Sequence, residues 1–154
     1  MKIYFCKYQT PIKTIYLYAD EESLIGIFFR PYTNAKATTS NSITDKAVKQ
    51  VNEYFEGKRK TFDLPLKISG TEFQKAVWKK LQKIPYGQTR SYVNIAIQIG
   101  SAKSCRAVGT ANKKNNFPIL IPCHRVIKST GETGGYAGGS EMKKFLLELE
   151  KRPQ

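Results

Sequence analysis

The chain has 154 residues, with 26 Lys or Arg against 12 Asp or Glu for a net charge of +14, and 40% of its residues are apolar, enough for a packed core and against wholesale disorder. No apolar run nears the ~18 residues of a membrane span, and Lys7 interrupts any signal-peptide core in MKIYFCKYQT. Three cysteines, Cys6, Cys105 and Cys123, are an odd and sparse set for a secreted disulfide scaffold, so the expectation is a soluble intracellular protein with a polyanionic partner.

Segments 2–8, 13–18 and 24–30 are rich in Ile, Tyr and Phe and predict three strands in an antiparallel meander, with turns at Thr10-Pro11 and at 20–23. Residues 31–42 are polar and predict a loop. Ala47, Val48, Val51, Tyr54 and Phe55 recur at helical spacing, stopped by Gly57, and this helix is expected to cover one face of the sheet. Residues 58–70 read as a linker. The boundary placed there gives an N-terminal α/β domain with its linker at 1–68 and a mainly helical domain at 69–154, an α+β protein overall.

Thr71 and Gln74 form a capping box that opens a helix with the core stripe Phe73, Val77, Leu81 and Ile84. Lys75, Lys79 and Lys83 form a second stripe on it. Ser91 caps a helix running to about Ile99 and stopped by Gly100. A second helix runs from Cys105 to about Lys113, and the pair suggests a helix-turn-helix. That second helix is built on small residues, Ala107, Gly109, Thr110 and Ala111, beside basic Arg106, Lys113 and Lys114. Close approach to a nucleic-acid groove and tight helix–helix packing explain it equally well. Residues 117–127, FPILIPCHRVI, read as an apolar strand broken at Pro122, and the glycine-rich 131–139 as a loop. Ser140 caps a final helix that turns Phe145, Leu146 and Leu149 inward. The sequence has no internal repeat and no low-complexity tract.

The charge is uneven: residues 1–68 carry a net +4 and 69–154 a net +10, with no acidic residue between Glu72 and Glu132. A solvated surface ordinarily mixes both signs, so a long one-sign stretch suggests a face for phosphates; a lysine-rich surface kept for solubility is the alternative. His124, the only histidine, directly follows Cys123. A thiolate is the nucleophilic form of cysteine and a neighbouring base raises its population. Neighbours on a strand point to opposite faces, so a Cys–His contact needs a bend at Pro122 or a bridging water. Glu150 or Glu148 is placed to orient the imidazole as a third member. An inert buried Cys beside a satisfied His explains the same residues.

The residues also resemble a family. Ile121-Pro122-Cys123-His124-Arg125-Val126 is similar to the active-site motif of the O6-alkylguanine-DNA alkyltransferases. Thr71-x-Phe73-Gln74-x-x-Val77-Trp78, Ile84-Pro85-Tyr86-Gly87-x-Thr89, Ser91-Tyr92 and Arg106-Ala107-Val108-Gly109-x-Ala111 resemble the family's helices and turns in the same order. Gly134-Gly135-Tyr136-x-Gly138-Gly139 and Lys143-x-x-Leu146-Leu147-x-x-Glu150 resemble its closing loop and helix, so the likeness spans 71–150.

The resemblance implies DNA repair by irreversible, single-turnover transfer of an alkyl group from guanine O6 in duplex DNA to Cys123, with the nucleotide flipped through the minor groove. It implies His124 as base through a water, Glu150 holding His124, Tyr92 rotating the nucleotide, and Asn115 supporting the active-site turn. It implies DNA contacts at Arg106, which fills the gap in the stack, and at Ser91, Thr89, Ala107, Gly109, Lys103 and Arg125. The base pocket would be Tyr136, Ala137, Gly138, Pro118 and Val126. The partner implied is double-stranded DNA containing O6-alkylguanine, with O4-alkylthymine as a second substrate, met by a cytoplasmic monomer (nucleoid-associated in a prokaryote) with no membrane association. No cofactor is expected, and no metal, because the chain lacks the histidines and cysteines of the N-terminal zinc site that some members carry. Two positions depart from the family pattern: Ala137 where Ser is frequent, which removes a hydrogen bond to the base, and Asn116 where Pro is favoured after Asn115. A helix-turn-helix module that only binds DNA, and a cysteine hydrolase acting through an acyl-enzyme, are the competing functions.

Overall fold

The structure, a computed structural model, describes residues 2–32 and 39–153. It is an α+β fold in two compact units, Met1–Ile68 and Ser69–Pro153. Among the described residues no helix is long and apolar enough to cross a membrane.

In the first unit β1 (Tyr4–Gln9), β2 (Thr14–Ala19) and β3 (Leu24–Phe28) pair antiparallel in the order β1-β2-β3, with Cys6 opposite Leu17 and Leu17 opposite Ile27. Asp20 makes the β2–β3 turn by accepting from the N–H groups of Glu22 and Ser23 at 2.8 and 2.7 Å. Of the loop expected at 31–42, residues 33–38 lie outside the described residues. Its end is the N-cap of α1 (Ser42–Phe55): Asn41 and Thr44 exchange side-chain-to-backbone bonds in a capping box. Ala47, Val51 and Tyr54 of α1 and Ile15, Leu17 and Ile27 of the sheet are fully or almost fully buried, the alternation and the helical stripe meeting in one core.

The expected linker is not a free tether. Leu24 and residues 65–67 exchange backbone bonds (Leu24 N to Pro65 O, 2.7 Å; Lys67 N to Leu24 O, 2.9 Å), and Gln50 of α1 binds both the N–H and the C=O of Asp63. Extended backbone beside an open strand finds its partners there.

The second unit opens with α2 (Glu72–Leu81), whose capping box pairs Thr71 with Gln74. Val77, Trp78 and Leu81 are its buried face, and the Trp78 indole donates to Ala111 O at 2.8 Å. Lys83 lies past the end of the helix, so the lysine stripe is shorter than expected. β4 (Arg90–Ser91) leads into α3 (Tyr92–Gln98), where the Ser91 hydroxyl accepts from Asn94 N at 3.0 Å. The helix closes on Gly100 at φ +79°, with Ser101 N bonded to Ala96 O and Gly100 N to Ile97 O, the paired bonds of a Schellman turn. α4 (Cys105–Lys113) follows and packs on α3, burying Val108, Ala111 and Asn112.

Residues 117–127 do not form the expected strand. Only β5 (Val126–Ile127) is extended, pairing in parallel with β4, and a 3-10 turn at Cys123–Arg125 precedes it. Proline cannot donate to a ladder, and the segment closes tight turns on itself and gives further carbonyls to Asn112, Asn115 and Lys143. Ser140 is also not a cap. It is the first residue of α5 (Ser140–Lys151), and Gly139, at φ +95°, occupies the N-cap without a side-chain bond. The buried face of α5 is Met142, Lys143, Leu146, Leu149 and Glu150, with Phe145 only half-buried.

Candidate active site

The backbone around Cys123 is folded into successive tight turns. Pro122, at φ −78° and ψ 66°, is the centre of an inverse γ-turn closed by Cys123 N to Ile121 O at 2.7 Å. Arg125 N to Pro122 O, 3.0 Å, closes the next turn. This is the bend a Cys–His pair needs, and it removes the strand alternation that would send the two side chains to opposite faces. Ile119, β-branched and buried, takes φ +77° where Ile121 N reaches Phe117 O, a strained conformation just before the Cys123 turn. Asn115 ties the segment: its amide donates to Ile121 O at 2.8 Å and its oxygen accepts from Phe117 N at 2.8 Å. Asn112 of α4 donates to Cys123 O at 3.1 Å. The expected Asn115-Pro turn is thus held by side-chain bonds, with exposed Asn116 in the proline's place.

Cys123 is 3% and His124 0% exposed. Glu150 lies against His124, its Oε2 2.7 Å from Nε2, while Glu148 is exposed. Burial disfavours the Glu150 charge, but hydrogen bonds from His124 and Arg125 outweigh it and hold the carboxyl far below the usual range. Burial lowers the His124 pKa and keeps the ring neutral. A neutral imidazole facing a carboxylate carries its proton on Nε2, so Nδ1 is a bare acceptor; it is buried and has no partner among the described residues. Burial pushes the Cys123 thiol up to about 11, with Asn115 and Lys143 pulling against it. The group therefore stands as a thiol at neutral pH.

One expected DNA contact is contradicted. Arg125 is 6% exposed, gives Nε to Glu150 Oε1 at 2.8 Å and Nη2 to Oε2 at 3.0 Å, and places Nη1 on Ile84 O at 2.7 Å. A buried carboxylate draws the bidentate cation, so Arg125 braces Glu150 and faces no phosphate. Glu150 Oε1 also accepts from Gly87 N at 3.1 Å.

Tyr92, the first residue of α3, lines a cavity of about 440 Å³ with Cys105, Arg106, Gly109, Thr110, Lys113, Lys128, Gly134 and Gly135. The lining carries Arg106, Lys113 and Lys128 and no carboxylate. Exposed Arg106 and Ala107 share the outer face of α4, and Lys103 is exposed just before it. Gly109 does not serve a tight packing contact: a Cβ there would sit an ordinary 3.9 Å from the Tyr92 ring. Gly134 does need glycine, at φ +76° and with a Cβ only 2.8 Å from the Tyr92 hydroxyl. Ser91 serves as the α3 cap, and Thr89 gives its carbonyl to Arg90 Nη1.

The five residues expected to form a base pocket do not line this cavity. Pro118, Tyr136, Gly138 and Val126 are buried and Ala137 is exposed. The loop is closed down by Lys143, which the sequence reading passed over as a site residue. Its ammonium donates to Val126 O at 2.6 Å, Gly135 O at 3.1 Å and the Tyr92 hydroxyl at 3.5 Å, and the residue is 0% exposed. The signal was present: 143, 146 and 150 fall at i, i+3, i+7 on one helix face. Among the described residues no three His, Cys, Asp or Glu side chains group as metal ligands.

Residues 72–152 match the family described as 6-O-methylguanine DNA methyltransferase, DNA binding domain, and residues 3–68 match its ribonuclease-like domain. The constitutive methylated-DNA--protein-cysteine methyltransferase of Bacillus subtilis is 42% identical over 157 residues, covering 96% of this chain and 95% of that protein. The methylated-DNA--protein-cysteine methyltransferase of Methanosarcina barkeri is 44% identical over 154 residues, covering 97% and 98%. The crystal structure of Mycobacterium tuberculosis OGT in complex with DNA superposes with a TM-score of 0.88 at 43% identity, covering 96% of this chain and 92% of that one.

Proposed function

The chain belongs to the 6-O-methylguanine DNA methyltransferase family, and from that premise we propose that Cys123 accepts the alkyl group directly from O6 of guanine in duplex DNA, once per molecule. The family's activity, alkyl-transfer DNA repair by a methylated-DNA–protein-cysteine methyltransferase with DNA as partner, is this chain's activity. The arrangement of Cys123, His124 and Glu150 carries the assignment of residues. The alkyl carbon is a weak electrophile, so a thiolate must form. The Cys123 proton passes through a water to the bare Nδ1 of His124, while Glu150, braced by Arg125, stabilises the imidazolium. Sulfur attacks the alkyl carbon, the carbon–O6 bond breaks with its electron pair going to guanine, and Tyr92 is the donor that protonates the departing base. The His124 proton then passes back through the water to the Tyr92 phenolate, leaving imidazole and phenol both neutral. The product is a thioether that water does not cleave, so Cys123 is not regenerated.

The reactive edge lies inside the duplex, and Cys123 is buried, so the nucleotide must leave the stack to react. Tyr92 and Arg106 stand at the cavity, with Arg106 placed to enter the vacated position in the minor groove. Lys103, Ala107 and Gly109, on α4 and the turn before it, and Ser91 and Thr89, just ahead of α3, are assigned to the DNA face. Tyr136, Ala137, Gly138, Pro118 and Val126 are assigned to the wall the base meets once Tyr92 and the 134–139 loop part. Asn115 keeps the Cys123 turn in shape, residues 69–154 carry both binding and transfer, and the protein acts as a monomer. The test is intact-mass measurement after incubation with a short duplex containing O6-methylguanine. A gain of one methyl, absent in Cys123→Ala, is expected; no gain, or a gain that survives Cys123→Ala, overturns the assignment.

A further inference from the structure

The buried ionisable groups around Cys123 do not balance. Arg125 and Glu150 cancel as a bidentate pair, and a thiol and a neutral imidazole carry no charge. Lys143 is left over, fully buried, held by three oxygens that are all uncharged, and among the described residues no carboxylate pairs with it. Burying an ammonium without a counter-charge is costly and persists only where something repays it.

We propose that Lys143 is a positioning residue for the transfer, whose three bonds set Tyr92 and the 134–139 loop relative to the Cys123 sulfur and whose ammonium favours the thiolate while the thiol proton rests on His124. The inference rests on Cys123 being the acceptor. Two sets of observations support it. The bonds join Tyr92 of α3, the Val126 carbonyl that follows the reactive turn, and the Gly135 carbonyl of the loop, so one side chain registers three segments that meet at the site. The ammonium also sits 5.7 Å from the Tyr92 ring centroid.

The groups facing Lys143 are Tyr92 from α3, Lys113 from α4, and Cys123 and His124 from the turn. Burial brings its pKa down to about 8, Cys123 opposes that fall and Lys113 adds to it. The required form is the protonated one, so its contribution is present below about pH 8 and is lost as the pH rises through that value. A neutral replacement has no such limb.

The experiment is the single-turnover rate of methyl transfer from O6-methylguanine duplex, followed by intact mass from pH 6.5 to 9.5. It compares the wild type, Lys143→Met and Lys143→Arg, with affinity for the unmodified duplex measured alongside. The wild type is expected to lose rate above about pH 8 while its DNA affinity holds. Lys143→Met should be slower at pH 7 by about tenfold or more, the equivalent of one pKa unit of charge coupling, and should gain rather than lose rate above pH 8. Lys143→Arg, which keeps its charge throughout, should regain part of the rate and lack the fall. No transfer by the wild type at pH 7 overturns the assignment of Cys123 on which this rests. Transfer without an alkaline fall in the wild type, or the same fall in a Lys143 variant, overturns the role of Lys143 alone; the wild-type profile decides even where a variant does not fold.

Discussion

Glu150 accepts from Gly87 N and Arg125 Nε on one oxygen and from His124 Nε2 and Arg125 Nη2 on the other, so both oxygens are engaged inside the protein. Glu150→Gln leaves Arg125 buried without its charge partner and should cost about 3–5 kcal/mol in denaturant unfolding. The same carboxyl fixes a pH dependence. Its folded pKa lies below the unfolded ~4.3, so its contribution is complete above that value and is lost as the pH falls further. His124, also lowered, begins to subtract below its unfolded ~6.5, because the buried ring must charge on unfolding. Acid unfolding of the wild type should therefore steepen below pH 5, and Glu150→Gln should flatten that part of the curve. Arg106 and Arg125 separate two meanings of a basic residue that adjoining letters conceal. Arg106→Ala should slow methyl transfer from duplex DNA more than transfer from the free alkylated base, and equal losses would contradict a place in the base stack, whereas an Arg125 variant that remains folded should leave the salt dependence of DNA affinity unchanged.

At the scale of elements, the helices were legible and the segment around Cys123 was not. Thr71 with Gln74, and Ser91 before an apolar periodicity, are local signals, and both caps form as read. Ser91→Ala should cost about 1 kcal/mol of stability, read by thermal or denaturant unfolding. Residues 117–127 read as a strand because they are apolar and β-branched, yet their backbone bonds close over two to four residues around Pro122 and Ile119, and Asn115 reaches six residues on to Ile121 O. Apolar composition reports burial, not extension. The 131–139 loop makes the same point through two glycines. Gly131 and Gly134 both have positive φ, but a Cβ at Gly131 meets nothing within 4 Å and one at Gly134 meets the Tyr92 hydroxyl at 2.8 Å. Both changes to Ala should cost about 1–2 kcal/mol of backbone strain. Only Gly134→Ala should also slow methyl transfer, by displacing Tyr92, and equal transfer rates for the two variants would contradict that placement of Tyr92.

For the molecule as a whole, the excess of positive charge is real but divided. Lys79, Lys103, Arg106, Lys113, Lys114 and Lys128 are exposed, while Arg125 and Lys143 are buried for the sake of Glu150 and the 134–139 loop. Affinity for unmodified duplex should fall steeply with salt, and a flat response would contradict a phosphate-binding role for the exposed set. By itself the sequence determined the α+β division, the meander, the two helices around Gly100, and the adjoining Cys123 and His124 as the candidate pair, because caps, periodicity and a dense motif are local patterns. Tertiary structure alone decided that Glu150 rather than Glu148 meets His124, that Arg125 turns inward, and that Lys143 is buried on three oxygens. Those outcomes depend on which low-dielectric pocket each charge enters and which partner waits there, and residues 25 positions apart, as Arg125 and Glu150 are, leave no local trace of that encounter.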